Sequence, residues 1–122
     1  MSENLELTEV IHSEIGNCVI FILVGELEAR SVSELENEVH KNIASGILFV
    51  MLDLTALRFL SSSGIGILIR LLDYIESNRG RLLLIGLSDR IQNTLELAGI
   101  ADVFLIFNSN EDASQWLKKQ TL

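Results

Sequence analysis

Apolar positions along the chain change their period several times, and each change marks an element. Leu5–Ser13 is loosely apolar and reads as a strand. Gly16-Asn17 is a turn signal leading into Cys18–Gly25. There, Val19, Ile20, Phe21, Ile22 and Val24 are β-branched or aromatic and predict a strand buried on both faces. Two strands with a tight turn between them predict an opening hairpin. Ser31–Ser45 switches to the helical period: Val32, Leu35, Val39 and Ile43 form one stripe, with Glu34, Glu38, Lys41 and Asn42 off it. Ser31 with Glu34 fits a capping box, and Gly46 fits a helix stop.

Ile47–Leu52 is a second buried strand, ending at Asp53, and residues 54–62 read as a loop. A helix follows over Ser63–Ser77, with Ile65, Leu68, Ile69, Leu72 and Ile75 on its inward face and Asn78-Arg79-Gly80 closing it. Ile67, Leu71 and Tyr74 form a second apolar line, open to partial burial or to a partner. Leu82–Leu87 is a third buried strand. Ser88-Asp89 opens a helix with Ile91, Leu95 and Ala98 inward and Gly99 at its end. Val103–Phe107 is the last strand. Ser109 with Asp112 caps a final helix anchored by Ala113, Trp116 and Leu117. The order β-β-α-β-α-β-α-β-α predicts one α/β domain over residues 1–122. Its sheet would be mixed, of four to five strands, covered by about four helices.

Composition narrows the function classes. Nine Lys and Arg against seventeen Asp and Glu give a net charge of −8. This argues against a nucleic-acid partner, since nothing here neutralises a run of phosphates, and against docking on an anionic membrane. The longest apolar run, Cys18–Val24, is far short of the roughly 18–20 residues that cross a bilayer. The first residues lack a basic and an apolar region, so no signal peptide is expected and the expected location is cytoplasmic. Cys18 is the single cysteine. His12, His40 and Cys18 show no metal-ligand spacing, and no cofactor is expected.

The most unusual segment is Phe59-Leu60-Ser61-Ser62-Ser63-Gly64-Ile65-Gly66. A serine at a helix start serves as an N-cap, and that accounts for one of the three. Two glycines in the first turns each cost about 1 kcal/mol relative to alanine, which fits a backbone that something approaches closely. The first turn also carries no acid, leaving its amides and dipole end open to an anion. The segment lacks the lysine of a phosphate-cradling loop and is not a Gly-x-Ser-x-Gly elbow. No base is tied to the serines, so the chain is not expected to be an enzyme. Asp53 invites comparison with a receiver phosphoacceptor, but the supporting acidic pair and lysine are missing; an aspartate bonding nearby amides is the simpler reading.

Five segments, in order, carry a resemblance. They are Val24-Gly25-Glu26-Leu27-Glu28, Leu52-Asp53-Leu54-Thr55, Phe59–Gly66, Leu97-Ala98-Gly99-Ile100 with Val103-Phe104, and Glu111-Asp112-Ala113. Together they resemble the STAS domain, the fold of anti-sigma factor antagonists, over essentially the whole chain. The resemblance implies partner switching in transcription regulation. The unphosphorylated antagonist binds an anti-sigma factor that is also a serine kinase, which frees a sigma factor. ATP-dependent phosphorylation ends binding, and a serine phosphatase restores it. The phosphoacceptor position falls on Ser62, with Ser61 and Ser63 as rivals. The implied partner surface comprises Gly25, Glu26, Leu27, Glu28, Arg58, Ser61, Ser62, Ser63, Gly64, Ile65 and Gly66. Two residues depart from the family pattern: Ser61 and Glu28 stand where the family has aspartate. The alternative is a STAS scaffold that is not phosphorylated, or an accessory subunit of a transport system.

Overall fold

The computed structural model describes residues 6–13, 17–27 and 32–121. Five strands form one sheet: β1 (Glu6–Ser13), β2 (Cys18–Leu27), β3 (Phe49–Leu60), β4 (Arg81–Ile85) and β5 (Leu105–Phe107). The helices are α1 (Ser33–Ala44), α2 (Ser62–Ser77), α3 (Asp89–Leu97) and α4 (Asn110–Thr121), and a 3₁₀ turn lies at Ala101–Val103. The strands lie in chain order, β1-β2-β3-β4-β5. The opening pair is antiparallel, as the hairpin reading expects, and the other pairs are parallel.

Right-handed crossovers that always step the same way along a sheet place their helices on one face. The packing follows this rule. Val19, Phe21, Val50, Leu52, Leu82 and Leu84 of the strands join Leu35, Val39, Leu68, Leu71, Ile91 and Leu95 of α1, α2 and α3 in one core. The other face is smaller: Cys18, Met51, Leu83 and Ile85 pack with Ala113 and Leu117 of α4. Trp116 of α4 meets Phe49 edge-on, with ring centroids 6.2 Å apart.

The structure changes several details of the sequence reading. Residues 54–60 continue β3 and are not a loop. Burial there falls on Leu54, Leu57 and Leu60, with exposed residues between. That three-residue spacing hides a strand, because β3 gains an extra residue over β2 at each of two register shifts. At the first shift the Asp53 carboxylate accepts the Thr55 amide at 3.0 Å, so the aspartate does bond a nearby amide, within a strand. At the second stands Gly25, whose φ of 113° suits glycine.

In α2 the buried residues are Gly64, Ile67, Leu68, Leu71, Leu72 and Ile75; Ile65, Ile69 and Tyr74 are half-buried. The inward stripe is therefore rotated from the expected one, and Ile67 and Leu71 are core. A helix this apolar defines no single stripe in sequence. Helix α1 begins at Ser33 with Val32 at the N-cap position and no side-chain cap; Ser31 lies outside the described residues. Ala98 is exposed at the C-cap of α3. The last strand is three residues long, and exposed Val103 belongs to the 3₁₀ turn before it. The caps expected of Ser88 and Ser109 form, on the amides of Ile91 at 3.2 Å and Asp112 at 3.1 Å.

Candidate functional site at the start of helix α2

The β2–β3 pairing continues, through its two register shifts, to Leu27↔Leu60, whereas β4 pairs with β3 only as far as Asp53↔Ile85. A two-stranded extension therefore leads into the serine segment. Ser61 leaves β3 with extended backbone (φ −81°, ψ 171°) and caps α2: its Oγ accepts the Gly64 amide at 3.0 Å. The Ser61 carbonyl accepts the Ile65 amide at 2.9 Å. Ser61 Oγ also lies 2.9 Å from Ser63 Oγ and 3.4 Å from the Leu27 carbonyl oxygen. The Ser61 amide reaches the same carbonyl at 3.4 Å. Ser61 is half-buried, and Ser62 and Ser63 are exposed.

The three serines are thus not equivalent. The hydroxyls of Ser61 and Ser63 are engaged with each other. Ser62 makes no side-chain hydrogen bond among the described residues.

The Leu27 carbonyl ties the end of β2 to this turn, so the segments 25–27 and 61–66 are brought together. Gly64 explains how they fit. A β-carbon there would collide with the Leu27 carbonyl oxygen and lie 2.9 Å from Leu60 Cδ1. The expected room for an incoming partner at Gly64 is therefore already filled by the protein itself. Gly66 is different: a β-carbon there meets nothing within 4 Å. Glu26 is half-buried beside this turn, and Ile65 is half-buried on α2. Glu28 lies outside the described residues. Arg58, on the β3 extension, is exposed and makes no ion pair among the described residues.

The first turn of α2 carries no acid, whereas α1 has Glu34 and Glu36, α3 has Asp89, and α4 has Glu111 and Asp112. The sequence reading names Phe59 in the serine segment and gives it no role; the residue is 44% exposed near the end of β3. Its aromatic type gives no warning, because an aromatic among leucines ordinarily belongs to the core.

Other reactive groups are occupied elsewhere. Cys18 is buried in the smaller core, and burial pushes its thiol up to about 12, so it stays protonated at neutral pH. The His40 ring packs at a tilt of 40° against Tyr74 with centroids 4.1 Å apart. Among the described residues, no three His, Cys, Asp or Glu side chains gather as metal ligands. No helix among them is long and apolar enough to cross a membrane.

The STAS domain profile matches residues 9–113, nearly the whole chain. The chain belongs to the STAS domain family. An anti-sigma-B factor antagonist of Listeria monocytogenes is 28% identical over 102 residues, covering 82% of this chain and 87% of the relative. The Bacillus cell fate determinant SpoIIAA, solved in its phosphorylated form, superposes with a TM-score of 0.70 at 20% identity, covering 89% of this chain and 97% of that one. A sulfate transporter family protein from Wolinella succinogenes superposes with a TM-score of 0.78 at 18% identity, covering 87% and 88%. At such identities the two superpositions establish the α/β STAS fold and nothing about partners.

Proposed function

We propose that this chain is an anti-sigma factor antagonist working by a partner switch in the cytoplasm. Unphosphorylated, it binds an anti-sigma factor through the face built from residues 25–28, Arg58 and Ser61–Gly66, and so frees a sigma factor. The anti-sigma factor's serine kinase activity then modifies Ser62, the complex dissociates, and a serine phosphatase resets it. The similarity to proteins named anti-sigma factor antagonists supports the role. The observation that carries the site is the state of the three hydroxyls: Ser61 and Ser63 are held by hydrogen bonds, and Ser62 stands exposed without one.

The physics of the switch is simple. A phosphate adds about −1.5 to −2 charges at pH 7. At the start of a helix whose first turn holds no acid, that charge meets the positive end of the helix dipole, so the domain stays folded. A partner surface shaped around a neutral hydroxyl meets the same charge with no counterpart. The serine in place of the family's acid at position 61 keeps the local geometry, since serine and aspartate both cap helices.

The test uses the full chain, its anti-sigma kinase and ATP, read by phosphopeptide mass spectrometry. Phosphate is expected on Ser62. Ser62→Ala should bind the kinase and accept no phosphate. Ser62→Asp should fold and bind more weakly by about 2–5 kcal/mol, the cost of a charge buried without a partner. Phosphate on Ser61 or Ser63 instead would move the assignment. No phosphate on any of the three, with binding indifferent to Ser62→Asp, would defeat the switch. It would favour a scaffold or transport-accessory role, for which copurification with a permease or transporter ATPase is the positive sign.

A further inference from the structure

We infer that Phe59, with Arg58 beside it, is the anchor that seats the anti-sigma factor, and that the matching surface on that partner is an apolar pocket edged by a carboxylate. The inference rests on the reading of Ser62 as the switch, and it assigns affinity to a different place from control.

Three observations carry it. First, Phe59 is the one aromatic side chain among the large hydrophobic residues exposed in the described structure; the other two, Leu97 and Val103, are aliphatic and lie near the far end of α3. Exposing a phenyl ring forgoes the stabilisation its burial would bring, although single exposed apolar residues are common. Second, the ring stands on a paired strand. Phe59 pairs with Glu26 in the β2–β3 ladder, beyond the end of β4, and buried Leu57 and Leu60 fix the strand on either side. A preorganised aromatic loses little freedom when a pocket closes on it. Third, Arg58 is exposed and has no acidic partner among the described residues, in a chain of net charge −8. Aromatic residues and arginine are both enriched at protein–protein interfaces.

Charge complementarity sets the occupant. The guanidinium calls for a carboxylate, and the ring beside it calls for apolar walls. In a two-fold pairing centred on this patch, a second copy would set Arg58 against Arg58. The strand also leads directly into Ser61, so Phe59 stands three residues before Ser62 in the chain, and the proposed partner spans both. A phosphate there would then be pressed toward the partner's carboxylate. The anchor thus explains how a modification at an exposed serine reaches a surface that holds tightly.

The experiment measures binding of the purified anti-sigma factor to the wild-type full chain and to Phe59→Ala, Phe59→Leu, Arg58→Glu and Leu97→Ala, by calorimetry at two salt concentrations. Phe59→Ala should raise Kd by roughly 30-fold or more, and Phe59→Leu should recover part of the loss. Arg58→Glu should weaken binding most at low salt, as expected for a charge pair at an interface. Leu97→Ala should leave Kd unchanged. Urea melts of each variant check folding; Phe59→Leu keeps the test decisive if alanine destabilises the strand. Phe59→Ala within about threefold of wild type, while Ser62→Asp abolishes binding, would overturn the anchor and leave the switch standing. A self-associating wild type whose dimer is lost with Phe59→Ala would also overturn it, in favour of a second copy as occupant. Failure of the wild type to bind any anti-sigma factor would remove both.

Discussion

Helices α2 and α3 both start on a serine whose hydroxyl takes the amide three residues on: Ser61 from Gly64 at 3.0 Å and Ser88 from Ile91 at 3.2 Å. Both serines have the same extended backbone, and both helices leave the carboxyl end of a parallel strand. Beyond that they diverge. The α3 start places Asp89 in its first turn, where an acid satisfies the dipole. The α2 start has no acid, stacks three hydroxyls, and is clasped by the Leu27 carbonyl through a position only glycine can fill. One helix start is complete in itself. The other is held firmly from inside, and its first turn carries no acid outside.

Substitutions can break this contrast. Gly64→Ala should have the largest effect, a loss of at least about 2 kcal/mol in urea melts. The collision with a backbone carbonyl outweighs the helix propensity alanine gains. A melt indistinguishable from wild type would show that the Leu27 contact yields easily. Ser61→Ala and Ser88→Ala should each cost about 1 kcal/mol as lost caps. Ser61→Ala should cost the more, because its hydroxyl also faces Leu27 and Ser63; equal losses would reduce Ser61 to an ordinary cap.

Gly66→Ala should go the other way, a gain of up to about 1 kcal/mol, since the added carbon points into open space. A loss there would mean that the position is constrained by something other than packing. The smallest expected difference is electrostatic. Asp89→Asn should destabilise by about 0.3–1 kcal/mol, and Ser62→Asp should stabilise the free domain by a similar amount, both fading with salt. A destabilising Ser62→Asp would contradict the unfilled helix start.

The sequence made the local features readable and hid the distant ones. The caps of Ser88 and Ser109 depend on residues three positions away, and both are legible. The hairpin and the strand–helix alternation follow from period and turn chemistry. The β3 extension was hidden because two bulges spread its buried leucines three apart, a spacing that matches neither a regular strand nor a helix. The inward face of α2 is not legible in the sequence because nearly every position from Ile65 to Leu72 is apolar, so only the neighbours decide which side is buried. The role of Gly64 depends on a carbonyl at Leu27, on the neighbouring strand, and nothing in the serine motif announces it. The motif singles out this turn as the candidate site. The hydrogen bonds that set Ser62 apart from its neighbours needed the fold.

Because the strands lie in the sheet in the order in which they occur in the chain, each pairs with the strand just before it. No strand waits for a partner from the far end of the sequence, so the entropy of closing long loops stays small. The domain can therefore grow by adding one unit at a time onto the opening hairpin, even while the chain is still being synthesised. The last unit, three-residue β5 with α4 over the thinner core, contributes least. Its amides should exchange with solvent first, while the face around Ser62 stays closed.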